Sequence, residues 1–153
     1  MIQRIQTLWL FLVFLMASLM LFFPLAKFQT ENQMITLSVF AIDGAEGIAN
    51  IPNPTVIGIL TAILGVLALG NIFQFKNRKL QIKINMAAML VNMGLLLAIF
   101  IISDSIADLD SVLSEYEYLF GSWFPVAGIL FLILANRSIR KDEALVKQSE
   151  RLR

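Results

Sequence analysis

The chain has 153 residues, 58 % of them apolar, with a formal net charge of +1 and a mean hydropathy of +0.78. Soluble domains run about 45–50 % apolar, so the excess points to a membrane. The absence of cysteine and histidine excludes disulfides, thiolate metal sites, catalytic thiols, imidazole-ligated haem and Ser-His-Asp catalysis.

Four stretches carry no charge: residues 5–26, 47–75, 84–103 and 118–136, holding 22, 29, 20 and 19 residues. A helix needs roughly 20 apolar residues to cross about 30 Å of hydrocarbon, so each is long enough to span. What remains is too short for a second domain with its own core. The charges between the stretches are sorted by sign. The N-terminus, the 76–83 loop and the 137–153 tail hold eleven of the twelve basic residues and three acids. The intervening segments hold Lys27 and eight acids. Basic segments stay in the cytoplasm, which predicts four spans with both termini inside. Trp9, Phe73, Phe75, Tyr116, Tyr118 and Trp123 fall near the span ends, at headgroup level.

The first span is expected at about 7–26, with Pro24 helping to stop it. Arg4 and the apolar run after it resemble a signal peptide, but the run is long and Pro24-Leu25-Ala26 is a poor cleavage site, so an uncleaved anchor is expected. In the first outer loop, 27–54, Ile35, Leu37 and Val39 alternate with Thr36 and Ser38, and Asp43-Gly44 is a favoured turn. That predicts a β-hairpin with residues 48–51 as the returning strand, followed by Pro52 and Pro54.

The second span, about 55–75, places Gly58, Ala62 and Gly65 on one face. Small residues let helix backbones approach closely, so the stripe reads as a packing face, with a partner-binding face as the alternative. The third span, about 84–103, carries Asn85 at the headgroup level and Asn92 deeper, seven residues apart on one face. An amide in lipid seeks a partner, so Asn92 is expected in an interhelical hydrogen bond, with contact to a polar substrate as the alternative.

In the second outer loop, 104–117, Ile106, Leu109, Leu113, Tyr116 and Phe120 follow helical spacing with acids between them, predicting an amphipathic helix that completes the outer cap. Asp104, Asp108 and Asp110 read as a solvated acidic face; a cation site is the alternative. The fourth span, about 118–136, opens after Gly121 and Pro125 mark the turn, and should continue into the cytoplasm before fraying. Its tail offers Arg137, Arg140, Lys141, Lys147, Arg151 and Arg153 as a contact for anionic headgroups, ribosomal RNA or an acidic protein face; topology enforcement is the plainer role.

The chain ends carry a resemblance. The opening Met1-Ile2-Gln3-Arg4-Ile5-Gln6-Thr7 and the closing Lys141-Asp142-Glu143-Ala144-Leu145-Val146, with Arg151-Leu152-Arg153, resemble a family of small four-span membrane proteins of Bacteroidota known only as a domain of unknown function. The resemblance implies a bacterial inner membrane and suggests that the cytoplasmic ends touch something; it supplies no catalytic residue. The expected fold class is an all-α, four-helix transmembrane bundle, N-in and C-in, with a small extracytoplasmic cap of hairpin and helix. The expected role is non-enzymatic: an accessory or scaffolding subunit of a larger membrane assembly, in protein export or envelope biogenesis. Its partners are membrane lipids and other membrane proteins, not DNA, and no metal or cofactor is expected. The alternative is a small transporter or channel for a neutral solute, which the lack of ionisable residues inside the spans disfavours.

Overall fold

Each charge-free stretch contributes a helix, the conformation that satisfies every backbone N–H and C=O within the segment itself. The computed structural model describes residues 3–30, 34–44, 52–74, 77–109 and 112–151. The helices are α1 (Gln3–Met20), α2 (Thr55–Phe73), α3 (Arg78–Ala107) and α4 (Phe120–Arg151). With them come four strands, β1 (Ala26–Thr30), β2 (Met34–Leu37), β3 (Ile42–Asp43) and β4 (Val112–Tyr118). Both α2 and α3, and residues Phe120–Leu145 of α4, are long and apolar enough to cross a membrane; the apolar part of α1, Ile5–Met20, is shorter.

The helices pack in a ring, each against the next, and α1 closes it against α4. Their buried faces share one rhythm. In α1 it runs through Gln6, Leu10, Val13, Ala17 and Met20; in α2 through Ile57, Thr61, Leu64, Ala68 and Asn71. In α4 it runs from Gly121 through Pro125, Gly128, Leu132, Ala135 and Ile139 to Asp142. Alternating steps of four and three make a 3.5-residue repeat, the signature of a left-handed bundle. Two hydroxyls inside the apolar helices are satisfied locally: Ser18 donates to the Phe14 carbonyl at 2.9 Å and Thr61 to that of Ile57 at 2.8 Å. Asn77 caps α3, its Oδ1 accepting from the Leu80 N–H at 3.2 Å.

The cap is a four-stranded antiparallel sheet in the order β3-β2-β1-β4, where a hairpin and an amphipathic helix were expected. Helix α3 runs on to Ala107, and residues Val112–Tyr118 then form a strand along β1. The helical spacing of Leu109, Leu113 and Tyr116 competes with a period of two in Glu115, Tyr116, Glu117 and Tyr118. The second period wins because β1 offers a long-range partner: Lys27 stands opposite Glu117, and Phe28 stacks on Tyr116 at 5.7 Å. The hairpin is also displaced. Its turn is at 38–41, where Ser38 donates to the Ala41 carbonyl at 2.8 Å, and Gly44 follows β3 with φ +78°. The expected returning strand at 48–51 lies outside the described residues.

The same sheet shortens the first helix. Residues 21–26, assigned to the first span, fall outside α1, where Leu25 donates to the Leu37 carbonyl at 2.7 Å and Ala26 enters β1. The inward sheet face, with Phe28, Ile35 and Leu37, joins Val13, Leu64, Leu95 and Leu132 of the helices in one core. Gly121 fixes the cap to α4, donating to the Pro24 carbonyl at 3.1 Å, while Leu119 donates to that of Leu25 at 2.8 Å.

A Cβ at Gly121 would stand 2.5 Å from the Pro24 oxygen and 2.7 Å from the Phe23 oxygen, both backbone atoms. Gly121→Ala is therefore expected to destabilise by about 1–3 kcal/mol. Gly70→Ala, with nothing near its Cβ, is expected to be neutral or to stabilise by up to about 1 kcal/mol. Thermal unfolding of the purified protein in detergent measures both, and equal midpoints for the two variants would refute the assigned junction.

Candidate functional site

At the end of the bundle where α1 begins and α4 runs on, the buried stripe of each helix finishes in polar side chains. These are Gln6 on α1, Asn71 on α2, Gln81 and Asn85 on α3, and Asp142 on α4. All five are at least nine-tenths buried. The layer is knitted across helices. Gln6 donates through Nε2 to the Asp142 carboxylate, and to the Ser138 carbonyl at 3.3 Å. Arg78, the first residue of α3, donates through Nη1 to the Asp142 backbone carbonyl at 2.6 Å. Gln81 donates to the Asn71 carbonyl at 3.3 Å, across the α2–α3 turn.

Deeper, α3 and α4 are joined by two matched rungs. Asn85 donates to the Leu132 carbonyl at 3.0 Å and Asn92 to the Pro125 carbonyl at 2.8 Å. Donors and acceptors are each seven residues apart in opposite directions, so both rungs fit one antiparallel register. Asn92 thus makes the interhelical bond expected of it, and Asn85 is buried between helices as well. Gly128 makes room for this approach, since a Cβ there would stand 3.1 Å from Asn92 Nδ2. The void that Asn92 lines at the bundle centre measures about 10 Å³, at most enough for one water.

The layer also holds buried polar atoms without a protein partner: both side-chain atoms of Asn71, the Oδ1 atoms of Asn85 and Asn92, and Asp142 Oδ1. The arrangement offers hydrogen-bonding groups and one carboxylate. Among the described residues no group of three acidic, histidine or cysteine side chains is arranged to hold a metal.

The small-residue stripe of α2 is split between two neighbours. A Cβ at Gly58 would enter the Phe40 ring, at 2.2 Å, so Gly58 seats an aromatic from the sheet turn. Gly65 faces Phe14 of α1 and Ala62 is exposed; both line an apolar groove of about 190 Å³ between α1 and α2. Of the basic tail, Arg137, Arg140 and Lys141 are exposed on α4; Lys147 and Arg151 follow on the same helix, and Arg153 lies outside the described residues. Gln6, Arg78 and Asp142 were not singled out from sequence. The available signal was position: Asp142 falls three residues beyond Ile139 on the buried α4 stripe, and Gln6 four before Leu10 on that of α1.

Loss of the Gln6 amide leaves a buried carboxylate without that donor. Gln6→Leu is expected to lower stability by at least about 1–3 kcal/mol. The double variant Gln6→Leu with Asp142→Leu should recover most of that loss, because an apolar pair needs no partners. Denaturant titration of the four proteins of the cycle checks this, and additive losses would contradict the clasp.

No curated protein matches the chain. A family model does, over residues 2–152, and on that match the chain belongs to the family described as a domain of unknown function, DUF4293.

Proposed function

We propose that the chain is a non-enzymatic protein of a bacterial cytoplasmic membrane, crossing it four times with both termini inside. There it serves as an accessory or scaffolding subunit of a larger assembly, with envelope biogenesis or protein export as the setting. The observation that carries this reading is the sorting of charge between the two ends of one bundle. Gln6, Arg78 and Asp142 meet at one end, so the basic segments beside them gather there. The sheet at the other end carries the exposed acids Asp43 and Glu117, with Asp104 and Asp108 close to the end of α3. Such segregation fits a membrane with its basic side inward.

A crossing by α1 is consistent with its length. Its 18 residues rise about 27 Å, and exposed Leu21, Phe22 and Phe23 extend the apolar surface beyond it. The exposed faces of α2, α3 and α4 carry apolar side chains such as Val66, Leu90 and Leu130, suited to lipid. The narrow central void supports a scaffold over transport through a single bundle. The buried polar side chains are spent largely on helix-to-helix bonds, which also favours a structural role.

Topology reporters inserted after Phe40 and fused after Arg153 test the orientation. The first is expected to be active only outside the cytoplasm and the second only inside; the reverse would overturn it. Mild-detergent purification from native membranes is expected to give a stoichiometric hetero-assembly. A monomer with solute flux in proteoliposomes would replace the scaffold reading by the transport one.

A further inference from the structure

On α3 one exposed stripe runs through Lys79, Lys83, Met86, Leu90, Met93 and Leu97 in steps of four and three. On α4 an exposed stripe runs through Val126, Leu130, Ile133, Arg137, Arg140 and Lys141. Both change from apolar to basic at the same end of the bundle, because α3 and α4 are antiparallel and Arg78 meets Asp142 there. Of the acids in this basic segment, Asp142 is turned inward onto Gln6 and buried, so its charge is withdrawn from the surface, while its neighbour Glu143 is half-buried. From Arg137 back to Val126 the helix rises about 16 Å, close to half of a 30 Å hydrocarbon core.

We propose that Lys79 and Lys83 of α3, with Arg137, Arg140 and Lys141 of α4, bind the headgroups of anionic phospholipids. The acyl chains lie along the apolar continuation of each stripe. The proposal rests on the membrane-spanning reading and names lipid as the contact of the basic segment. Two features select lipid over an acidic protein. The cations are exposed at the margin of an apolar surface one leaflet deep, where phosphates reside. They also come from two helices, each continuous with its own apolar stripe, rather than from one projecting patch. Side-chain ammonium and guanidinium groups at this depth attract anionic lipid and are screened by salt.

The test is electron paramagnetic resonance on the full chain reconstituted in phosphatidylcholine vesicles, with spin-labelled phosphatidylglycerol or phosphatidylcholine as the probe. The labelled anionic lipid is expected to be motionally restricted by the protein at least about fivefold more strongly than the zwitterionic one at low salt. That preference should fall towards unity in about 1 M salt, where the Debye length is about 3 Å. The salt arm needs no variant. Two partial variants, K79Q/K83Q and R137Q/R140Q/K141Q, should each lower the preference while leaving the restricted fraction of zwitterionic lipid unchanged. Equal restriction of both lipids, or a preference indifferent to salt and to both variants, overturns the proposal and leaves the membrane reading standing. A chain that restricts neither lipid and stays outside the vesicles overturns the membrane reading itself.

Discussion

Lipid removes the force that ordinarily assembles helices. An apolar side chain gains little by leaving hydrocarbon for a protein interior, so close packing and a few polar contacts must specify the arrangement. The large exposed side chains of this bundle are overwhelmingly apolar, and its fixed points are few: Asn85 and Asn92 on α4 carbonyls, Gln81 on α2, Gln6 and Arg78 on the 138–142 turn of α4. Each interhelical hydrogen bond is worth only about 0.6–2 kcal/mol. The amide oxygens of Asn85 and Asn92 accept from no protein donor among the described residues. The two rungs therefore add only modest stability. What they fix is register: a slip of α3 along α4 leaves both amide donors without their carbonyls in an apolar seam.

The polar layer gives the recognisable ends of the chain a structural account. Sequence suggested that termini carrying the family resemblance must touch something, and what they touch first is each other. Gln6 belongs to the opening segment and Asp142 to the closing one, and the amide of one meets the carboxylate of the other. A glutamine suits this junction. It offers two N–H donors, here used on Asp142 and the Ser138 carbonyl, and carries no charge into the end of an apolar helix.

The helical content was legible because its signal is local and repeated. Charge-free runs of 19 residues or more leave few alternatives. The strands were not, because strand identity was decided by a partner far away in sequence. Residues 112–118 satisfy two periods at once, and only β1, more than eighty residues earlier, selects between them. Pro24 illustrates the same limit. It reads as a helix stop, yet α1 ends at Met20 because Leu25 and Ala26 are claimed by β2 and β4. Of the candidate residues, Asn92 was legible because an amide in an apolar run has few options. Asp142 was hidden in a run of charges, where its burial depends on the phase of α4 rather than on its neighbours.

The sheet gives a place to another exception in the charge pattern. Lys27 is the single basic residue in the acidic segments, and by sequence it weakens the sorting. In the sheet it stands directly opposite Glu117, both on the exposed face. Two of the charge exceptions are handled in opposite ways. Asp142, an acid on the basic side, is buried and bound by an uncharged amide. Lys27, a base on the acidic side, stays in solvent, opposite Glu117 in the strand register. The difference follows from position: Asp142 lies on the inward stripe of a packed helix, largely shielded from water, whereas Lys27 is exposed, where water solvates it.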